Sequence, residues 1–492
     1  MELKNMLSGL ENLKVKGSLD IDISKIKNDS KEVSESDVFV ALTGFNFDGH
    51  EYIEEAVKNG AKAVVMQEDK IDKNIIKKIP SEVTIVVVPD TRYALAIMAC
   101  NYYQNPSRKV KLIGVTGTKG KTTTTYMIRD ILEKQGIKTG LIGTVASYIG
   151  DKKIADNDNT TPESLKLQEI LAKMVKEKCE VVVAEVSSQS LKLSRVAGCE
   201  FYTAVFTNLS EDHISEKEHP NMEDYLQSKL KLFHMCKTGF VNIDDLQGNK
   251  IPAMFPENDI TGYGIDNSGN FLAKDITITN SYVDFKVKLT DRNERVKVDI
   301  PGRFTVYNAL CAISICKKLG IEGTVMKEAL EKIKVPGRSE MVENKLEIPI
   351  MIDYAHSPES LQNILQAVSS YTKGKVISVF GCGGDRDTRK RPLMGEISGR
   401  IADYTIITSD NPRTEDPELI VKEIEEGIKK TKGKYEVIVD RVEAITKAIK
   451  MANKTDIIVL AGKGHEPYQE INGVKHPFDE RIIVNKIIKG EI

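Results

Sequence analysis

The sequence predicts an α/β protein of three successive domains, on three observations. Short apolar runs recur along the chain, among them KLIGVTG, EVVVAEVSS, FYTAVFTN, TGFVNID, KVISVFGCGG and DIIVLAGKGHE, with helical stretches between several of them. Runs of this kind are strands of a mostly parallel sheet, which helices cover on both faces. Most of them run into polar, Gly- or Pro-containing sequence, where open α/β sheets place their ligands. Two turn signals, Asn105-Pro106-Ser107 and Pro336-Gly337, then divide the chain into thirds.

The first third, residues 1–107, reads as a mixed α/β unit. It contains the run DVFVALTG, then EYIEEAVKNGAKAVVM, a helical pattern stopped by Gly60 and followed by a strand. Residues 108–335 carry four of the apolar runs and predict a doubly wound sheet. Residues 336–492 repeat the pattern with IPIMIDYAHSP, KVISVFGCGGDRD, YTIITSDNPR and DIIVLAGKGHE. A length of 492 residues suits three such domains.

Composition narrows the function. Seventy basic residues against 72 acidic ones leave a formal net charge of -2. That balance argues against broad nucleic-acid or anionic-membrane binding and leaves room for local phosphate sites. Seven cysteines without a CxxC pair suit a reducing cytosol, not a disulfide framework or a zinc site. The N-terminus lacks the apolar core of a signal peptide, and no apolar run reaches the ~18 residues of a membrane span. The expectation is a cytoplasmic protein, monomeric, with no nucleic-acid partner and no membrane insertion.

The strongest motif is LIGVTGTKGKTTTTYMIRDIL, a strand (Leu112 to Val115), a glycine turn and a helix. Gly117 and Gly120 let backbone N–H groups turn toward a phosphate. Thr118, Lys119, Thr122 and Thr123 line the same turn. Lys121 can reach the β- and γ-phosphates of ATP, and the Thr122 hydroxyl can ligate Mg²⁺. The usual P-loop has Gly five positions before Gly120; Val115 stands there, so the pattern is the variant GTxGKT.

Three further residues could serve a metal. Glu185 ends an apolar strand, where a carboxylate is costly to bury unless it is paired or metal-bound. His213, in TNLSEDHIS, follows another strand; alone it reads as a surface histidine, and imidazole is an unusual Mg²⁺ ligand. Lys229 lies in MEDYLQSKLKLFHM, a predicted helix whose Leu226, Leu230 and Phe233 form one stripe. An amine beside an apolar surface becomes neutral more easily and can react with CO₂ to give an anionic carbamate. Spacing alone favours a solvated helix lysine.

Those residues fall within a resemblance that spans nearly the whole chain. NDSKEVSESDVFVALTGFNFDGH, GVTGTKGKTTT, DNTTPES, EVSSQSLKLSRVAG, TNLSEDH with YLQSKLKLF, PGRFTVYNAL, PGRSEMV, DYAHSP, GCGGDRDTRKRPLMG, SDNPRTEDP and AGKGHEPYQ resemble the Mur ligase family, in the family's order. Within it the likeness is nearest to members that add a diamino acid to UDP-N-acetylmuramoyl-L-alanyl-D-glutamate in peptidoglycan synthesis. The resemblance implies an N-terminal UDP-binding domain, a central P-loop ATPase domain and a C-terminal Rossmann-like amino-acid domain. It also implies Mg²⁺, with ATP as cosubstrate.

It implies site residues as well. Ser30, Phe45, Asn46 and Phe47 are expected near the uridine and diphosphate. Asn159, Thr160, Thr161, Ser187 and Arg195 are expected to hold the muramoyl dipeptide. Lys229 becomes the carbamylated lysine, and Glu185 and His213 become Mg²⁺ ligands. Asn308 and Arg338 are expected to meet the nucleotide, with Asp353 and His356 on the ATP side. The chain departs from the family at Lys31, Lys119, Leu193, Thr305 and Ser215.

The choice of amino acid rests on SDNPRTEDP. In this family DNPR marks the meso-diaminopimelate-adding members, whose substrate carries a second carboxylate that lysine lacks. Arg413 can bind that carboxylate bidentately, with Arg386 as a second contact. Asp410 and Glu466 can pair with an ammonium, beside Asn411 and Pro412, and Gly462 permits close backbone approach. Lysine in that pocket is expected to leave a buried guanidinium unpaired. The alternatives are the same reaction with L-lysine, a folylpolyglutamate synthase-like ligase, and a P-loop switch without ligase chemistry.

Overall fold

A computed structural model describes residues 1–44, 47–71, 73–211, 214–215, 218–279, 281–289 and 293–492. Its contacts divide the chain into two compact units: Met1–Lys121 with Gln135–Gly262, and Thr122–Lys134 with Tyr263–Ile492.

The first unit begins with a five-stranded sheet. Its order is Lys14–Lys16, Thr84–Val88, Ala63–Gln67, Val38–Val40, Ile26–Lys27, all parallel except the first. Ala63–Met66 and Thr84–Val88 are buried throughout, as parallel strands covered on both faces must be. Helix Thr91–Tyr102 packs on one face, its first N–H groups capped by the Asp90 carboxylate.

A second sheet follows. Its parallel core runs Thr238–Asn242, Thr203–Phe206, Lys111–Thr116, Val181–Glu185, Thr139–Ile142. Ser147–Ile149 and Lys152–Ala155 extend it antiparallel. Val181–Glu185 is buried at every position, and helix Ser164–Lys176 covers it with Leu167, Ile170, Leu171 and Met174. That i, i+3, i+4, i+7 spacing is one face of an α-helix. The glycine-turn strand Lys111–Thr116 lies between Val181–Glu185 and Thr203–Phe206. The chain runs from it to Thr139–Ile142 on one side, and from Val181–Glu185 to Thr203–Phe206 on the other, and this reversal opens a crevice at the strands' carboxyl ends.

The second unit holds an antiparallel sheet, Lys274–Ile278, Val283–Lys288, Asn293–Val298, and the helices Arg303–Lys318 and Gly323–Glu331. A six-stranded sheet follows in the order Glu340–Met341, Ile350–Asp353, Ile457–Ala461, Val376–Phe380, Tyr404–Ile407, Tyr435–Val437. All of it is parallel but the short first strand. Four of its helices start at strong signals: a Ser357–Ser360 capping box with Pro358 at the first turn, and Asp416, Asp440 and Asp479 as N-caps. A hairpin, Tyr468–Ile471 with Val474–Pro477, follows the last parallel strand.

The predicted α/β class and the parallel runs are present. MEDYLQSKLKLFHM is not one helix: Met222–Leu230 is α-helical and Lys231–Met235 continues as a 3₁₀ turn. The tighter turn still buries Phe233 with Leu226 and Leu230. Among the described residues no helix is long and apolar enough to cross a membrane.

Candidate active site

The glycine turn is built as its sequence requires. Gly117 has φ 145°, and a Cβ there would come within 1.9 Å of the Thr207 hydroxyl, so only glycine fits. Asn208 braces the loop: its carbonyl accepts from Thr118 N (2.9 Å), its side-chain oxygen from Lys119 N (2.9 Å), and its amide donates to Lys119 O (3.0 Å). Lys121 folds back, with Nζ donating to Gly117 O (2.9 Å) and Thr118 O (3.0 Å). Those two carbonyls hold the ammonium over the loop, where a phosphate would otherwise compete for it.

A cavity of the first unit opens beside this loop. Lys121, Asn159, Thr160, Ser187, Arg195 and Lys229 line it, and so do Ser188, Gln189, Glu218, His219 and Tyr225. Lys229 is buried to 1% exposure, with Nζ 4.2 Å from the centre of the Tyr225 ring. The solvated lysine that spacing favoured is thus not what the fold makes. The Tyr225 hydroxyl donates to Thr118 Oγ1 (3.2 Å), which ties the lysine-bearing helix to the glycine turn.

Glu185 is fully buried at its strand end. Its Oε1 accepts from Thr144 N (2.9 Å) and its Oε2 from Thr144 Oγ1 (3.0 Å), and Thr144 Oγ1, its proton so committed, accepts from the Thr160 hydroxyl (3.2 Å). A carboxylate has about four lone-pair sites and is a hard oxygen donor of the kind a divalent cation takes. Thr161 lies behind the wall: its hydroxyl donates to Glu185 O (2.9 Å) and accepts from Ser187 N (3.0 Å). Arg195 donates to Thr161 O (3.1 Å) and pairs with Glu163 at 2.7 Å. Burial lowers the Arg195 pKa and Glu163 opposes that shift. The expected clamp is therefore already half-neutralised. His213 lies outside the described residues, as do Phe45 and Asn46.

The sequence reading missed His219. It is 1% exposed, with Nδ1 2.6 Å from Asp224 Oδ2 and Nε2 2.9 Å from Ser188 Oγ. Burial lowers its pKa, and the Asp224 carboxylate opposes that. Lys192 at 2.9 Å, and then His219, hold Asp224 below the usual carboxylate range despite its partial burial. The only sequence signal was a His five residues before an Asp, too common to single out. The residues expected at the uridine lie elsewhere in this unit. Ser30 follows strand Ile26–Lys27 and donates to Glu55, and Phe47, 66% exposed, follows the adjacent strand Val38–Val40.

In the second unit Thr122 and Thr123 are buried in the first turn of helix Lys121–Lys134. Thr124 on that helix donates to Asn308 Oδ1 (3.4 Å). The Arg338 guanidinium stacks on the Tyr354 ring at 4.9 Å. Asp353 accepts from Ser339 N (2.8 Å) and Ala355 N (2.9 Å), and burial raises its pKa against these bonds. His356 is exposed, its Nδ1 on Tyr354 O (2.7 Å).

The amino-acid candidates cluster at the carboxyl ends of Tyr404–Ile407 and Ile457–Ala461. Gly462 has φ 113°, and a Cβ there would meet Asp410 Oδ2 at 2.4 Å. Asn411 donates to Glu466 Oε2 (2.8 Å), and burial raises the Glu466 pKa. Between them lies Lys463, fully buried and unforeseen, which donates to Asn411 Oδ1 (2.9 Å) and stands 3.9 Å from Asp410. Pro412 is buried and leads into Arg413, whose φ is 51°. Arg413 Nη1 donates to Gly384 O (2.7 Å), and its Nε lies 3.4 Å from Glu470. The expected bare guanidinium is therefore corrected: Glu470, on the hairpin, already neutralises part of its charge. Arg386 is exposed. The Thr414 hydroxyl and amide, then the Arg413 and Arg386 charges, hold Asp385 below the usual carboxylate range.

Known proteins resemble the chain along its whole length. Three family models match: Mur ligase family, catalytic domain, over residues 22–103; Mur ligase middle domain over 115–316; and Mur ligase, glutamate ligase domain over 337–464. The chain is 48% identical to the UDP-N-acetylmuramoyl-L-alanyl-D-glutamate–2,6-diaminopimelate ligase of Caldanaerobacter subterraneus subsp. tengcongensis, across 99% of both chains. It is 45% identical to the ligase of that name from Clostridium botulinum (strain ATCC 19397 / Type A), across 99% of this chain and 100% of the relative. A solved structure of a ligase of the same name superposes with a TM-score of 0.70 at 29% identity, covering 100% of this chain and 99% of that one. The MurF ligase of Thermotoga maritima, solved with ADP, shares the fold with a TM-score of 0.62 at 22% identity, covering 95% and 98%. With full-length relatives at this identity and family models over all three segments, the chain belongs to the Mur ligase family.

Proposed function

We propose that the protein joins meso-diaminopimelate to UDP-N-acetylmuramoyl-L-alanyl-D-glutamate at the expense of ATP, in peptidoglycan precursor synthesis. The observation that supports it best is one cavity faced by the phosphate-loop Lys121, the buried Lys229, Ser187 and Arg195. A phosphate-binding turn alone fits any NTP-binding protein. A further lysine that is buried, and an anion clamp in the same space, fit an enzyme that phosphorylates a bound carboxylate.

The chemistry follows from the poor electrophilicity of a carboxylate. Attack of the D-glutamate carboxylate on the γ-phosphorus forms an acyl phosphate and breaks the bond to ADP. The amine of the amino acid then attacks the acyl carbon, loses a proton and expels phosphate. Lys121 and the turn from Gly117 to Thr123 stabilise the charge on the transferring phosphoryl group. Asn308 and Arg338 are assigned to the nucleotide. Asn159, Thr160, Thr161, Ser187 and Arg195 are assigned to the dipeptide, and Ser30 with Phe45, Asn46 and Phe47 to the uridine diphosphate.

Mg²⁺ suits the donor set. Glu185, the Thr122 hydroxyl and Lys229 as a carbamate are hard oxygen donors, with His213 as the fourth expected ligand. When bound, the ion supplies further charge neutralisation at the phosphates. We assign Arg413, Arg386, Asp410, Asn411, Pro412, Gly462 and Glu466 to diaminopimelate, and residues 1–107, 108–335 and 336–492 to the uridine, ATP and amino-acid domains. A cytoplasmic, monomeric enzyme fits this reading.

The test is ADP release by purified protein with ATP, Mg²⁺ and the UDP-muramoyl dipeptide, with diaminopimelate and L-lysine in competition. Release that needs both cosubstrates and selects diaminopimelate bears the proposal out. Selection of lysine replaces the amino acid, and release independent of the dipeptide removes the proposed reaction.

A further inference from the structure

Ser188, His219 and Asp224 form a chain of side chains in the cavity of the first unit, and none of the roles assigned above uses it. All three are fixed by the fold. Ser188 opens the helix Ser188–Lys192 just beyond strand Val181–Glu185, and Asp224 sits in the first turn of helix Met222–Leu230. His219 lies between them, 1% exposed, its ring 4.9 Å from that of Tyr225.

The direction of each hydrogen bond can be worked out. Asp224 bonds Lys192 Nζ at 2.9 Å and is a carboxylate, so it only accepts. His219 Nδ1, 2.6 Å away, must therefore carry the ring proton. In the neutral ring Nε2 is then a bare lone pair, and the hydroxyl 2.9 Å from it donates the single proton that Ser188 has. With that proton committed, Ser188 Oγ can offer only lone pairs to a ligand. Of the other charged groups of the wall, Lys121 and Arg195 are donors suited to phosphate and carboxylate, Lys229 is assigned above as a carbamate, and Glu218 is a carboxylate.

We infer that Ser188, oriented by His219 and Asp224, is the acceptor that holds an N–H of the attacking amine at the acyl phosphate. The inference rests on the proposed ligase reaction. An oxygen fixed as an acceptor repels the phosphate and carboxylate oxygens and selects an N–H donor. The amine brings several such donors, and one N–H held at Ser188 leaves the nitrogen lone pair free to face the acyl carbon. The dipeptide's own amide N–H is the other possible donor, and kinetics separate the two. His219 and Asp224 are positioning residues that act through Ser188.

Asp224→Ala is the informative variant. It leaves the Lys192 ammonium, which only donates, as the charged neighbour of Nδ1, so the lone pair settles at Nδ1, the ring proton moves to Nε2 and the Ser188 hydroxyl becomes a donor toward the cavity. Asp224→Ala and Ser188→Ala are both expected to lower kcat/KM for diaminopimelate by roughly 100-fold, while KM for ATP and for the UDP-muramoyl dipeptide stay within about twofold of wild type. Acyl-phosphate formation is read separately, as scrambling of ¹⁸O from the β,γ-bridge of labelled ATP with the dipeptide present and no amino acid. Scrambling is expected to persist in both variants, which also shows that they fold. Loss of scrambling together with ligation, a raised KM for the dipeptide instead of the amino acid, or wild-type kinetics in either variant would each overturn the inference. Absence of ligation by the wild-type protein would instead defeat the proposed function.

Discussion

Arg413 sits between two obligations. Its backbone N–H donates to Glu470 O (3.0 Å), and its side chain divides between Gly384 O and the Glu470 carboxylate. In the proposed reaction it also takes the distal carboxylate of diaminopimelate. Arg413→Ala is expected to lower kcat/KM for diaminopimelate by roughly two orders of magnitude, the scale of losing one partner of a partly buried charged pair. ATP-dependent isotope scrambling should remain; equal activity in variant and wild type would exclude the role. Glu470→Gln removes the internal counter-ion, so the preference for diaminopimelate over lysine should widen, as read by direct competition; a narrowed ratio would mean that Glu470 instead receives the substrate ammonium. Arg413 and Lys121 were legible because each stands in a dense motif after a strand. Lys229 was legible only through the family likeness, since a helical stripe does not reveal which flank another element covers. Lys463, Glu470 and His219 were not legible. Their roles depend on partners 52, 57 and 31 positions away, at Asn411, Arg413 and Ser188, which only the fold brings near.

Helix Arg441–Met451 and helix Glu480–Lys489 begin on a shared buried ion pair. Arg441 and Glu480 are 2% and 2% exposed, with Nε donating to Glu480 Oε1 at 2.9 Å. The same guanidinium donates to Ser409 O (3.3 Å) and Ala461 O (2.9 Å), next to Asp410 and Gly462. Glu480→Ala leaves a buried cation without its counter-ion and is expected to destabilise the second unit by about 3–5 kcal/mol. Replacing both partners by apolar residues of similar volume should recover much of that loss, because it removes the desolvation cost as well. Urea unfolding of wild type and the two variants checks this; a single variant no weaker than the double one would show that the pair is not stabilising. At this scale the parallel strands were readable, since Ile457–Ala461 is apolar from end to end and Val376–Phe380 is interrupted only by Ser378. The antiparallel sheet was not read. Val283–Lys288 alternates buried and charged residues and looks like ordinary polar sequence unless a period of two is sought.

For the molecule as a whole, acid stability carries a signature that one histidine can isolate. His465 lies against the Tyr354 ring, and its Nδ1 is buried with no hydrogen-bond partner among the described residues. Burial first, then the Arg338 and Arg481 charges, push its pKa down to about 4. An unfolded chain binds that proton near pH 6.5 and the folded one only near 4. Between those values the unfolded state holds more protons, so stability falls as the pH falls. The loss approaches about 3 kcal/mol below the lower value. Asp353 and Glu466 act with the opposite sign: burial raises both above their usual values, so each disfavours the fold when charged and relents as it is protonated. The wild-type curve therefore mixes terms that partly cancel, whereas the difference between wild type and His465→Gln keeps only the histidine. That difference should shift against the wild type by up to about 3 kcal/mol between pH 7.5 and pH 4, and the His465 ring resonance should titrate near pH 4. A flat difference, or a ring that titrates near 6.5, would mean that solvent reaches the imidazole, and the acid sensitivity of the molecule would then have to come from its carboxylates.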